Sequence, residues 1–338
     1  MSGLIEGLPD ELVFLCLAWL PFNLYPVLQL VCRSWRAAIH SPELIKARLE
    51  VSAHEFLCVC TGVEEKLWQL YDPLIDDWLT LPDLPTERDP VHFGFVSTAG
   101  KLFVLGGDCS YWDDSTNRVT GEFATDRVWS YDHILGCWDQ RASMLVPRSN
   151  FASCVLDGKI IAAGGLKTML EPISNAEIYD PETDVWAPLP DLPKTGYPES
   201  GVVINGKLHV FFDGESKFLV LENGGGEWTW VVRENELLKG PKAIVGEDLY
   251  VLKDGIIFKL DKELKIPKRV VEAPPDCSYF FIGCHFTMIG IGPELFLVGE
   301  EEIYVLAVGM ETPTIRELPQ EWDLHEAYTI CSCTMLLI

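Results

Sequence analysis

Apolar residues follow two regimes along the chain. Over residues 4–49 they read as helices, and from about residue 54 they come in short β-rich runs separated by Gly, Pro and Asp turns. In the first regime Pro9 suits an opening helical turn, where its missing N–H costs nothing. Asp10 and Glu11 follow where the helix dipole favours negative charge. The predicted helix runs through Leu12, Val13, Leu15, Cys16, Leu17, Trp19 and Leu20 and stops at Pro21. It is apolar nearly all round and must be buried on more than one side. A segment of about 45 residues is too small to cover it all. Either a partner protein covers the remainder or the segment packs on the β-rich part. Two further short helices are expected near 26–32 and 34–39.

The second regime repeats itself. A hydrophobic residue, an acid, five residues and a Trp recur as Tyr71-Asp72 to Trp78, Tyr131-Asp132 to Trp138, Tyr179-Asp180 to Trp186 and, less completely, Leu221-Glu222 to Trp228. Two copies carry an upstream glycine pair, VLGG at 104–107 and AAGG at 162–165. Phe93 and Phe151 stand at matching positions before those pairs. Each unit reads as four strands, the build of a propeller blade. Units begin near 92, 149, 199, 242 and 280, while 55–81 holds three strands and lacks the first. A lone strand at 329–336 ends the chain. Closing a ring removes its edges, so that strand is expected to complete the first of six blades. The repeat Trp residues are expected to fill space between blades, and the glycine pairs to permit tight backbone packing.

Composition narrows the function classes. The net charge is -25 and the pI about 4.5, which repels a phosphate backbone and argues against nucleic-acid binding. Residues 1–53 hold four basic and five acidic side chains, so nearly all of that charge lies on the β-rich part. The apolar run at 12–22 is too short for a bilayer, which needs about 20 residues. Acidic residues precede it, where a signal peptide needs a basic start. The chain is therefore expected to be neither secreted nor membrane-spanning. Eleven cysteines in such a chain suggest a reducing compartment. Cys58/Cys60 and Cys331/Cys333 would each project from one strand face; packed thiols are the expected role and a metal site the alternative. His40, His54, His92, His133, His209, His285 and His325 show no paired ligand spacing, and no catalytic, metal or cofactor residues are assigned.

The segment GLPDELVFLCLAWLP…LQLVCRSWRAAIHSPEL resembles an F-box. The blades resemble kelch repeats, and ASMLVPR and FATDRVWSYD are similar to the plant F-box/kelch-repeat family of Skp-interacting-partner type. The resemblance implies a mainly-β fold: a six-bladed kelch β-propeller closed by the C-terminal strand and preceded by a small all-α F-box. The expected domains are 1–50 and 54–338. It implies a non-catalytic substrate receptor, in the nucleus or cytoplasm, which binds a Skp-type adaptor and through it a cullin and a RING subunit. Leu8, Pro9, Leu12, Leu20, Pro21, Leu28, Val31, Cys32 and Trp35 would bind the adaptor. The propeller would hold a protein target for ubiquitination and degradation.

Strand alternation places the b–c and d–a connections of all blades on one rim. Arg88, Arg148, Lys194 and Tyr197 fall in d–a connections, and Tyr111 and Trp112 in a b–c insertion at 108–126. These six are the candidate target contacts, with a structural role as the alternative for Arg148. Other readings are a scaffold that causes no turnover and a propeller enzyme such as a copper oxidase.

Overall fold

The computed structural model describes residues 4–20, 24–51, 55–61, 67–73, 75–87, 90–113, 118–121, 123–168, 171–196, 198–212, 214–261, 264–274, 287–299, 302–308, 310, 313–318 and 330–337. Four helices come first: α1 (Asp10–Ala18), α2 (Tyr25–Leu28), α3 (Arg33–Ile39) and α4 (Pro42–Val51). Pro9 precedes α1 and two acids occupy its first turn, as the pattern required. The helix ends at Trp19, short of Pro21. Cys32 opens α3, its sulfur accepting the Trp35 N–H. The sequence reading did not separate α4, although Ser41-Pro42 marks its start: the Ser41 hydroxyl accepts the Leu44 N–H at 3.4 Å.

The strands form six four-stranded antiparallel sheets among the described residues. Blade 1 holds β1 (Glu55–Thr61), β2 (Leu67–Asp72) and β3 (Asp77–Thr80). Blade 2 has β4 (Gly94–Thr98), β5 (Lys101–Leu105), β8 (Val128–Asp132) and β9 (Cys137–Arg141), with an added hairpin of β6 (Tyr111–Asp113) and β7 (Arg118–Thr120). Blade 3 has β10 (Ala152–Leu156), β11 (Lys159–Ala163), β14 (Ala176–Asp180) and β15 (Val185–Leu189). A second added hairpin, β12 (Leu166–Thr168) with β13 (Glu171–Pro172), interrupts it. Blade 4 is β16 (Pro198–Ile204), β17 (Lys207–Phe212), β18 (Lys217–Gly224) and β19 (Glu227–Glu234). Blade 5 is β20 (Lys242–Val245), β21 (Asp248–Lys253), β22 (Ile256–Leu260) and β23 (Pro267–Glu272). Blade 6 is β24 (Thr287–Ile291), β25 (Glu294–Val298), β26 (Ile303–Ala307) and β27 (Ile315–Glu317).

The C-terminal strand β28 (Ile330–Leu337) pairs with β1, supplies the innermost strand of blade 1 and closes the ring. Cys333 thus shares a blade with Cys58 and Cys60, but not a face. Cys333 stands opposite Val59 and packs with Leu57 and Phe296, while Cys58 and Cys60 face the helices and blade 2.

The repeat Trp residues bind adjacent blades. The indole N–H of Trp138 donates to Pro82 O at 2.8 Å, Trp186 to Ala142 O at 2.9 Å and Trp230 to Pro190 O at 2.8 Å. In blade 4 the bonded residue is therefore Trp230 rather than Trp228. The β18–β19 hairpin is two residues longer at its turn, so Leu221 pairs with Trp230, as Tyr131 does with Trp138. The glycine pairs sit where backbones crowd. A Cβ on Gly107, at φ +103°, would stand 2.7 Å from Pro90 Cβ.

The helices lie against the propeller. Val13, Leu17, Tyr25, Ile39 and Leu44 share one buried cluster with Phe56, Trp68 and Trp138 of blades 1 and 2. Pro26 Cγ is 3.6 Å from where a Cβ would stand on Gly136, in the c–d turn of blade 2. The β-rich part thus covers one side of the helices and leaves another side open.

Candidate functional site

Two surfaces stand out, on opposite faces of the ring. The helices occupy the face formed by the a–b and c–d turns. Their outward side carries Leu12, Trp19, Leu24, Val27, Leu30 and Val31, each between 41% and 70% exposed. Burying such a side chain is worth about 1.5–3 kcal/mol when complete, so this concentration on one small segment marks a docking surface. Among the residues read from sequence, Pro9, Leu12, Val31 and Cys32 lie on the exposed side. Leu8, Leu20, Leu28 and Trp35 are half-buried against the helical core, and the Trp35 indole N–H donates to Leu4 O at 3.1 Å. Pro21 lies outside the described residues. Trp19, Leu24, Val27 and Leu30 were missed, although 24, 27, 30 and 31 recur at the spacing of one helical face.

The Cys32 thiol is exposed and lies 3.0 Å from the Ser34 hydroxyl. The hydrogen bond with Ser34 and the Trp35 N–H favour its thiolate and lower its pKa.

Below the helices, Arg48 of α4 is buried and donates to the Tyr25 hydroxyl at 2.7 Å and to Leu20 O at 3.2 Å. Across the junction, His133 in the c–d turn of blade 2 holds Gly100 O at 2.9 Å through Nδ1. Burial lowers its pKa to about 4 and Arg48 pushes the same way, while Asp132 opposes them.

The opposite face is the rim of b–c and d–a connections. Hydrogen bonds knit these together: Gly107 N donates to Arg148 O at 2.9 Å, Arg148 N to Thr125 O at 3.2 Å and Ser149 N to Leu166 O at 2.9 Å. The hairpins β6–β7 and β12–β13 rise from this rim on neighbouring blades, and Leu145 between them is exposed. Tyr111 and Trp112 lie on β6, paired with Thr120 and Val119; their side chains, like Arg88 and Tyr197, fall outside the described residues. Lys194 is on the rim, with its ammonium 3.6 Å from the centre of the Phe212 ring and 2.6 Å from a Glu215 carboxylate oxygen.

Arg148 is not a surface contact. Its side chain is 0% exposed. It donates to Glu177 Oε1 at 2.6 Å and to Gly164 O and Asn175 O at 2.8 Å each. An arginine so enclosed ties the connections of blades 2 and 3 together and presents nothing to a target.

Among the described residues, no group of three or more His, Cys, Asp and Glu side chains could hold a metal ion. None of their helices is long and apolar enough to cross a membrane.

The F-box domain family matches residues 5–47, the helical segment, and the Kelch motif family matches residues 147–193, blade 3. Over its whole length the chain is 42% identical to F-box/kelch-repeat protein SKIP30 of Arabidopsis thaliana, covering 98% of that protein. This chain belongs to the F-box/kelch-repeat family. A second Arabidopsis thaliana relative, F-box/kelch-repeat protein SKIP4, is 26% identical over 99% of this chain and 95% of its own length. The solved structure titled "Structure of YjhT" superimposes with a TM-score of 0.54 at 12% identity, over 74% of this chain and 91% of that one, and shares the fold. An F-box joined to a kelch propeller is the build of an SCF substrate adaptor, with the F-box for a Skp-type adaptor and the propeller for a substrate. In this F-box/kelch chain the two parts present their surfaces on opposite faces.

Proposed function

We propose that this chain is the substrate receptor of an SCF-type E3 ubiquitin ligase. Residues 1–50 bind a Skp-type adaptor linked to a cullin and a RING subunit, and residues 54–338 hold a protein target that is ubiquitinated and degraded. The chain contributes no catalytic group; it raises the local concentration of a target lysine near the charged conjugating enzyme. The observation that carries this reading is the exposed apolar side of the helices, on the far side of the ring from the target rim. That surface can be covered by an adaptor while the rim stays open. Free thiols at Cys16, Cys32, Cys58, Cys137, Cys154 and Cys333 fit a reducing compartment, nucleus or cytoplasm.

The test is co-precipitation of a purified Skp-type adaptor with wild type and with Val27→Asp/Leu30→Asp, both on the exposed side. The variant should keep its circular dichroism and melting point and lose at least tenfold in adaptor recovery. Equal recovery by the two proteins overturns the proposed contact. The acidic propeller further selects a target with a basic patch, so rim binding should weaken as salt rises from low to physiological strength.

A further inference from the structure

The c–d turns of blades 1, 2 and 3 are built alike. The N–H groups of Asp76, Gly136 and Asp184 donate to the carbonyl oxygens of Asp72, Asp132 and Asp180, four residues before, at 2.9, 2.8 and 2.9 Å. Asp76, Gly136 and Asp184 share a left-handed backbone, at φ +55°, +66° and +55°. Turns of one geometry put the third residue after the acid at one tip. That residue is Ile75 in blade 1, Leu135 in blade 2 and Thr183 in blade 3, and each is exposed. The turn accepts a polar tip in Thr183, so its backbone does not call for the aliphatic side chains of Ile75 and Leu135.

Those two aliphatic tips stand on the blades that carry the helices. The neighbours of Leu135 touch the helical part directly. Ile134 packs on the cluster that holds Val13, Leu17 and Tyr25. A Cβ on Gly136 would lie 3.6 Å from Pro26 Cγ of α2. Leu135 sits between these two contacts and stays 45% exposed. Pro26 in turn is flanked by Leu24 and Val27, both on the exposed apolar side of the helices. That apolar side therefore runs on to the turn of blade 2.

Both tips are held in place before a partner arrives. Asp132 Oδ1 accepts the N–H of Ile134 at 2.9 Å and that of Leu135 at 3.1 Å, while Lys101 pairs with Asp132 Oδ2 at 2.8 Å. Beside Ile75, Asp76 Oδ1 accepts the Tyr71 hydroxyl and the Arg316 guanidinium of blade 6, the latter at 3.3 Å. An exposed side chain on a fixed backbone has less freedom to lose on docking than one on a loose loop.

We propose, on the reading that the F-box docks a Skp-type adaptor, that the same adaptor also covers the c–d turns of blades 1 and 2, with Leu135 and Ile75 as its contacts on the propeller. The occupant is the adaptor and not the target, because these turns adjoin α2 and lie on the face away from the rim. The adaptor then bears on both parts of the chain at once, and its affinity depends on the propeller as well as on the helices.

The test is calorimetric titration of the full chain with a purified Skp-type adaptor, together with the melting temperature of each variant. Ile75→Thr/Leu135→Thr gives both tips the residue that the blade 3 turn already carries. It should weaken adaptor binding about fivefold or more and leave the melting temperature unchanged. Leu135→Asp should weaken it about tenfold or more, because docking would strip water from a carboxylate. Ile266→Thr removes an exposed aliphatic side chain from the c–d turn of blade 5, away from the helices, and should leave binding unchanged. Three results overturn the proposal: unchanged affinity in Ile75→Thr/Leu135→Thr, a lowered melting temperature in that variant, or an equal loss with Ile266→Thr. The receptor reading survives all three if wild type binds and Val27→Asp/Leu30→Asp does not. No binding by wild type, or full binding by Val27→Asp/Leu30→Asp, overturns the receptor reading and the propeller contact with it.

Discussion

Trp138 donates its indole N–H to the carbonyl oxygen of Pro82 at 2.8 Å, and this bond joins blade 2 to the end of blade 1. The same bond recurs from Trp186 to Ala142 and from Trp230 to Pro190. A motif that looks like a sequence signature is therefore a repeated fastening between blades.

Replacing a fastening Trp by Phe keeps most of the buried ring and removes the donor. Trp138→Phe and Trp230→Phe are each expected to cost about 1 kcal/mol from the lost bond, with additional loss from the smaller ring. Trp228, which stands opposite Asn223, makes no such bond across the blades. Trp228→Phe is expected to cost clearly less than Trp230→Phe. Urea unfolding of the three variants measures the order, and equal losses at 228 and 230 contradict the register described for blade 4.

Arg148→Met leaves Glu177 with a buried carboxylate facing an apolar side chain. Leu145 N still donates to Glu177 Oε2 at 2.6 Å, but Oε1 loses its cation. The expected destabilisation is about 3–5 kcal/mol. Arg148→Met/Glu177→Leu removes both charges and should recover a large part of it, seen as a higher urea midpoint than the single variant. A surface arginine used for target recognition would behave otherwise: its removal would leave stability unchanged and weaken target binding alone.

His133 links stability to pH. Its folded pKa of about 4 lies below the ordinary value of 6.5, because burial and Arg48 disfavour the imidazolium. Above pH 6.5 the ring is neutral in both states and costs nothing. Between 6.5 and 4 the unfolded chain binds the proton and the folded one does not, so stability falls as pH falls; below 4 the loss levels off. The whole effect is roughly 1–3 kcal/mol, given a ring that is not fully enclosed. His133→Asn, whose amide can still donate to Gly100 O, should flatten the stability profile between pH 6.5 and 5. That window lies above the titration of Asp76, Asp132 and Asp184, whose pKa values are lowered below 3.8. His209, also lowered by burial, keeps its own share of the slope. An unchanged profile in His133→Asn contradicts this assignment.

Much of the architecture was legible in short-range pattern. Short β-rich runs between turns, the Tyr-Asp to Trp spacing of seven and the glycine pairs marked the blades, and the missing strand of the first unit matched the spare strand at the end. Where the turn lengthened, at 224–227, the same spacing pointed to Trp228 and the partner was Trp230. On the helices, apolarity announced a need for cover without saying which side. Packing on blades 1 and 2 consumed Val13, Leu17 and Tyr25 and left Val27 and Leu30 outside.

The amino-acid sequence by itself determined the helical start, the six β repeats and the closure by the last strand. The first two show in local periodicity and in spacings within one unit, and the closure in a strand missing from the first unit and left over at the end. Only the tertiary structure decided which side chains are available. Arg148 is enclosed by a carboxylate 29 residues away, and Trp138 is bound to a carbonyl 56 residues away. Ile204 of blade 4 and Leu249 of blade 5 share one buried cluster although 45 residues separate them. Burial is a property of neighbours brought together by ring closure, and no local pattern along the chain carries it.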